Sequence, residues 1–201
     1  MIINLNKPIN FSHITKTGGT SIEKVGLRHN MYWGRENKIW AKYCDDTYNY
    51  WHTPLKYTDI SFVNSYNWFT VVRNPYDRII SELNCKWVRG WGKSVCDIKD
   101  NITSEMIYDI LQYNFKKMPV SHYIPQCEYI DIDVPIYIIK YENMYEEFKK
   151  YMKIFSKDVI LDMRENVSEK IVTIDNFNEK IIRLINNFYE EDFKLFGYNM
   201  K

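Results

Sequence analysis

Twice in this chain a short strand-like run ends abruptly in a polar loop, and a helix start follows at once. The first run is Ile9 to Ile14, followed by Thr15-Lys16-Thr17-Gly18-Gly19-Thr20-Ser21 and a helical pattern from Ser21 to about Arg28. The second is Trp68 to Val72, followed by Arg73-Asn74-Pro75-Tyr76-Asp77 and a helix through Ile79, Ile80 and Leu83. Asn at the N-cap, Pro at the first helical position and an acid two residues later start a helix for separate physical reasons. Thr20 with Glu23 fits a capping box at the first helix. A third strand is expected over Pro135 to Lys140, with further helices over Thr103 to Phe115, Asn143 to Phe155 (capped by Asn143 with Glu146) and Phe177 to Phe188. Strands joined through helices must run parallel, so the expected architecture is α/β, a parallel sheet covered by helices on both faces. Met31 to Tyr50 lacks a period and is expected as loop, ending in a strand near Asn49 to His52, with a short helix after Pro54. Without repeats, linkers or a composition break, residues 1–201 are expected to form a single domain.

Net charge is +1, which excludes nucleic-acid binding driven by bulk charge. The start of the chain lacks the basic and apolar pattern of a signal peptide, and no run approaches the roughly 20 apolar residues that span a bilayer. A cytoplasmic location follows as the expectation. Cys44, Cys85, Cys96 and Cys127 form no C-x-x-C pair, so neither a zinc site nor any other metal is expected. Reduced thiols are the default, with a Cys85–Cys96 bridge as the alternative for an exported protein.

The first loop turns backbone N–H groups toward one point at a helix start, where the helix dipole adds positive potential. Glycines allow an anion to approach, Thr17, Thr20 and Ser21 offer hydroxyls, and Lys16 brings a cation. A plain strand–turn–helix junction would look similar. The loop is not the Gly-x-x-x-x-Gly-Lys-Ser/Thr of nucleoside triphosphatases; the only Gly-Lys-Ser, Gly92-Lys93-Ser94, has Trp87 where that pattern needs glycine. In the second motif Arg73, at a strand end, and Ser81, on the following helix, are suited to hold one phosphate, the Arg through its planar fork.

Together, Lys16-Thr17-Gly18-Gly19-Thr20-Ser21 and Arg73-Asn74-Pro75-Tyr76-Asp77-Arg78 with Ser81 resemble the sulfotransferases that use 3′-phosphoadenosine 5′-phosphosulfate (PAPS). The first segment matches that family's 5′-phosphosulfate loop and the second its 3′-phosphate site. His122-Tyr123-Ile124-Pro125-Gln126, Ile138-Ile139-Lys140-Tyr141-Glu142-Asn143 and Tyr189 to Tyr198 resemble segments of the carbohydrate (heparan/chondroitin-type) branch. Asn166-Val167-Ser168 resembles a loop near the donor in that branch. The resemblance implies a P-loop-NTPase-like central parallel sheet, PAPS as donor, adenosine 3′,5′-bisphosphate (PAP) as product, no metal, and a hydroxyl acceptor. It departs from the Golgi members of the branch in showing no N-terminal membrane anchor, and acceptor-binding insertions are expected to be trimmed.

What the resemblance implies for roles is specific. Lys16 stabilises the leaving phosphate, and a histidine takes the acceptor proton. Among His13, His29, His52 and His122, the choice is His52, which resembles the branch's histidine between the two donor motifs. His122 stands second, as base or acceptor contact. His13 is expected to be packed inside the first strand, and His29 to be solvated. Trp87, Arg89 and Trp91, with Lys86 and Lys93, interleave rings and cations in a way that suits a sugar, or else form a helix end with a solvated rim. A glycan acceptor, a tyrosine or small hydroxylated acceptor, and a domain that binds nucleotide without catalysis all remain open.

Overall fold

The computed structural model describes residues 3–44, 49–85, 102–116, 122–163 and 171–201. In chain order its elements are β1 (Ile9–Ser12), α1 (Gly19–Arg28), α2 (Ile60–Asn64), β2 (Asn67–Val72), α3 (Pro75–Leu83), α4 (Ser104–Lys116), β3 (Ile136–Lys140), α5 (Met144–Ile154), α6 (Glu179–Phe188) and α7 (Glu190–Phe196). The fold is α/β. The described strands form one parallel sheet in the order β1-β2-β3, with Ile9 opposite Asn67 and Trp68 opposite Ile136. The strand expected over Trp68 to Val72 is therefore the middle one of the three. Among the described residues no helix is long and apolar enough to cross a membrane.

Contacts group the chain into two units, Met1–Arg73 with Gln126–Asn166, and Asn74–Pro125 with Val167–Lys201. The sheet belongs to the first. Alternation along β2 sends its side chains to opposite faces. Phe69 and Val71 join Phe11, Ile139, Ile22 and Val25 of α1, and Phe148, Tyr151 and Met152 of α5 in one buried cluster. Trp68, facing the other way, packs with Trp40, Leu55, Phe62 and Val63. The indole N–H groups, which need acceptors when buried, find them: Trp68 Nε1 donates to the carbonyl of Val63 at 2.8 Å, and Trp40 Nε1 to Thr58 Oγ1 at 3.1 Å.

The second unit is helical in its described parts. Tyr76, Ile79 and Leu83 of α3, Ile107, Leu111 and Phe115 of α4, Ile181 and Ile185 of α6, and Phe193 of α7 form its core. Phe115 stacks on Phe188 with ring centroids 3.9 Å apart. The Asn-Pro start behaves as expected: Asn74 Oδ1 accepts from Tyr76 N at 3.0 Å. The Phe-Gly-Tyr ending has a structural reason, because Gly197 takes φ 64° at the end of α7 and Tyr198 N donates back to Phe193 O at 3.0 Å.

Three local expectations are corrected. Helix α1 begins at a left-handed Gly18 with no side-chain cap, so Thr20 and Glu23 form no capping box; Glu23 turns into the interior instead. Tyr50–His52 is a 3₁₀ turn and not a strand, since the N–H groups of His52 and Thr53 bond back to the carbonyls of Asn49 and Tyr50 within the turn. Asn143 makes no side-chain cap to α5, whose entry is a 3₁₀ turn over Tyr141–Asn143. The helix after Pro54 is a 3₁₀ turn, Leu55–Tyr57, followed by α2, which starts on an Asp59 cap.

Candidate active site

The first unit brings most of the candidate residues to the C-terminal ends of β1 and β2. The chain leaves β1 at Ser12 and reaches α1 through a loop in which Lys16 (φ 66°) and Gly18 (φ 84°) both adopt left-handed backbone. That conformation is costly for a lysine and is held by its surroundings. Thr17, fully buried, donates its hydroxyl to Ile14 O at 2.8 Å, and Ser21 N bonds to Gly18 O at 3.1 Å. Lys16 and Thr20 are half-buried, and Ser21 is buried. The N–H groups of a helix's first turn have no acceptors inside the helix, so the start of α1 presents donors toward this loop.

Both glycines are required from inside the fold. A Cβ on Gly18 would meet the Tyr141 ring at 3.1 Å, and one on Gly19 would lie 2.2 Å from Cδ2 and 2.3 Å from Nε2 of His13. Gly19→Ala is expected to destabilise the protein by about 1–3 kcal/mol through overpacking, read as a lower denaturant midpoint. An unchanged midpoint would show that the His13 ring yields without cost.

Arg73 stands just past β2. Its Nη1 donates to the carbonyl of Lys16 at 3.2 Å, and its guanidinium lies 4.3 Å from the centroid of the Tyr141 ring. Its Nε is buried and meets no acceptor among the described residues. Gln126, fully buried, braces the arginine from behind: its Oε1 accepts from Arg73 N and its Nε2 donates to Arg73 O, both at 2.9 Å. Gln126→Leu keeps the volume but strands both main-chain groups. The expected loss is about 2–4 kcal/mol, measured by urea unfolding, with a change below about 0.5 kcal/mol ruling out the brace.

His52 is half-buried, and its Nδ1 lies 2.9 Å from the carbonyl of His13. A carbonyl only accepts, so Nδ1 carries the hydrogen, and in the neutral ring Nε2 holds the lone pair. His13 is packed, as expected from the sequence: only 7% exposed, it donates from Nδ1 to Glu23 Oε1 at 2.8 Å. Oε1 of Glu23 also accepts from Arg35 N at 2.8 Å. Burial raises the Glu23 pKa, but the charge and hydrogen bond of His13 and the contacts from Arg35 outweigh it, so the carboxyl is held below its ordinary range.

Ser81 and His122 lie in the second unit. Ser81 is half-buried on α3. His122 Nδ1 meets both oxygens of the buried Glu82, at 3.0 and 2.9 Å, and its carbonyl accepts from Arg78 Nη2 at 3.1 Å. His29 is exposed at the end of α1. Trp87, Arg89 and Trp91, with Lys86 and Lys93, lie outside the described residues, as do Cys96 and Asn166-Val167-Ser168. Among the described residues no cluster of three or more His, Cys, Asp or Glu is placed to hold a metal ion.

Sequence reasoning missed three parts of this arrangement. Gln126 and Tyr141 stood inside quoted segments, but their roles beside Arg73 depend on contacts between residues far apart in the chain. Glu23 was read as a helix cap, although the apolar face of α1 on which it sits is a signal that its carboxylate points inward.

No curated protein and no solved structure matches this chain significantly. The family model described as the sulfotransferase family matches residues 1–199. The match runs through the strand–loop–helix of Lys16, the strand end at Arg73 and the turn of His52, and with it the chain belongs to the sulfotransferase family, whose members transfer sulfuryl groups.

Proposed function

We propose that the protein transfers a sulfuryl group from PAPS to a hydroxyl of a carbohydrate acceptor. One observation carries the donor half: the Arg73 guanidinium, fixed on the Lys16 carbonyl, keeps a buried Nε without an acceptor among the described residues, beside a helix start. A phosphate supplies the acceptor that Nε lacks, and the C-terminal ends of parallel strands are where α/β sheets take such ligands. Lys16, Gly18, Gly19, Thr20 and Ser21 are assigned to the 5′-phosphosulfate and Arg73 to the 3′-phosphate. Thr17 is assigned to shaping the loop and, through its main-chain N–H, to the same anion. Ser81 is carried as a donor contact on the resemblance alone.

Transfer is an in-line displacement in which positioning and charge do most of the work. His52 Nε2 takes the proton of the acceptor hydroxyl. That oxygen forms the new bond to sulfur as the bond from sulfur to the phosphate oxygen breaks. Lys16 and the N–H groups at the start of α1 stabilise the negative charge that gathers on the leaving phosphate. A second reading makes His122 the base, favoured by its carboxylate partner Glu82, an arrangement that fixes the direction of an imidazole. The carbohydrate assignment rests on the resemblance of the His122–Gln126 and C-terminal segments.

The test has two arms. PAP is expected to bind, and its absence of binding at millimolar concentration by calorimetry would overturn the donor site. Labelled sulfate from PAPS is then offered to desulfated glycans, tyrosine peptides and small alcohols. Transfer confined to glycans supports the acceptor assignment, and transfer confined to either other class overturns it.

A further inference from the structure

We infer that the buried Glu23–His13 pair is the positioning element of the base, holding His52 in one tautomer and one direction beside the phosphate loop. The inference rests on the reading of His52 as base. His13 touches both halves of the site. The Cδ2–Nε2 edge of its ring lies against Gly19, where a Cβ would come within 2.3 Å of either atom. Its main-chain carbonyl holds Nδ1 of His52 at 2.9 Å, and its ring meets the His52 ring edge to face at a centroid distance of 4.5 Å.

Glu23 fixes His13 in turn. A carboxylate 1% exposed is costly to bury and persists only when it is engaged. Here Oε1 accepts from His13 Nδ1 and from Arg35 N, both at 2.8 Å, and the Arg35 guanidinium stands 3.9 Å from Oε2. A helix that only had to pack at this position would need no charge. A Cβ on Gly34 would come within 2.3 Å of Oε1, so the main chain around the carboxylate is closed over it. Carboxylate-oriented imidazoles recur where a ring must keep one tautomer and one direction. The difference here is that the oriented ring passes its placement on to a second histidine.

The proton inventory is simple. In the transfer step the acceptor proton moves to Nε2 of His52, which becomes an imidazolium with Nδ1–H still on the His13 carbonyl. His13 and Glu23 keep the protons they had and act only by holding position. A misplacement of about 1 Å in such a base can cost on the order of 10²-fold in rate.

The chain of residues 1–201, labelled with ¹⁵N and saturated with PAP, reports the His52 tautomer through its imidazole correlations; the His52 signals are those missing in His52→Ala. The wild type is expected as the single Nδ1–H form. Glu23→Gln keeps the shape and removes the charge. His13→Asn keeps an N–H for Glu23 and the main-chain carbonyl but removes the ring. Both are expected to give mixed tautomers at His52, with PAP affinity within about twofold of wild type. Sulfate transfer to desulfated heparin or chondroitin is expected to fall about tenfold or more in each, and no further in the double variant, as for residues acting as one unit. A single Nδ1–H tautomer persisting in both variants overturns the inference. So does a PAP affinity weakened about tenfold, which would make the pair part of the donor site alone. Transfer surviving His52→Ala would instead overturn the base reading, and the tautomer result is read independently of it.

Discussion

Replacing His52 with alanine lowers turnover by about 10²- to 10⁴-fold, the range a positioned general base contributes. The affinity for PAP is expected to stay within about twofold, because the role proposed for the residue is to handle the reacting proton and not the donor. The geometry supports this split. Nδ1 is committed to the His13 carbonyl, so the nitrogen lost to chemistry is Nε2. The donor loop draws its shape from Lys16, Gly18 and Thr17, and Arg73 is fixed by Lys16, Gln126 and Tyr141; none of these contacts uses the His52 side chain. Labelled sulfate transfer measures the first quantity and calorimetry with PAP the second. Turnover within about threefold of wild type would move the base elsewhere, and His122, held by Glu82, would be tested next.

Arg73→Ala weakens PAP binding about 10- to 100-fold, corresponding to the roughly 1.5–3 kcal/mol of charge-assisted hydrogen bonds. Arg73→Lys recovers only part of that loss. One guanidinium here meets the Lys16 carbonyl, lies over the Tyr141 ring and still has a buried Nε to offer. A lysine ammonium is a compact point charge without the planar fork, so it cannot make the three contacts together. The same assay in rising salt separates this from long-range attraction, which screening weakens over about 10 Å. Unchanged affinity in Arg73→Ala would reduce the residue to a brace for the loop and remove the 3′-phosphate assignment.

The contrast between these two residues marks how much of the site was legible. Arg73 was readable because a strand end, an Asn cap and a Pro at the first helical position are local signals that fix where a helix begins. Lys16 was readable for the same reason, through two glycines after a strand-like run. His52 is picked out by resemblance, while the turn that holds it differs from the expected strand: the N–H groups of His52 and Thr53 bond back to Asn49 O and Tyr50 O within the turn. Glu23 was assigned to a cap because Thr20 three residues earlier fits the local pattern; the interior offered His13 and the Arg35 amide, and those partners won.

By itself, then, the sequence determined the α/β architecture, the parallel order implied by strand–loop–helix units, and the loop at Lys16–Ser21 with the strand end at Arg73. Each depends on residues within a few positions of one another, where cap, turn and period are set by local sterics and hydrogen bonding. Tertiary structure decided the rest: that Gly19 is glycine because the His13 ring fills its side, that Gln126 holds the main chain of Arg73 across 53 positions, and that His52 is oriented by a carbonyl 39 positions earlier. Those contacts depend on how the ends of β1 and β2 meet the turns packed beside them, and no local pattern records which distant partner a buried polar group will find.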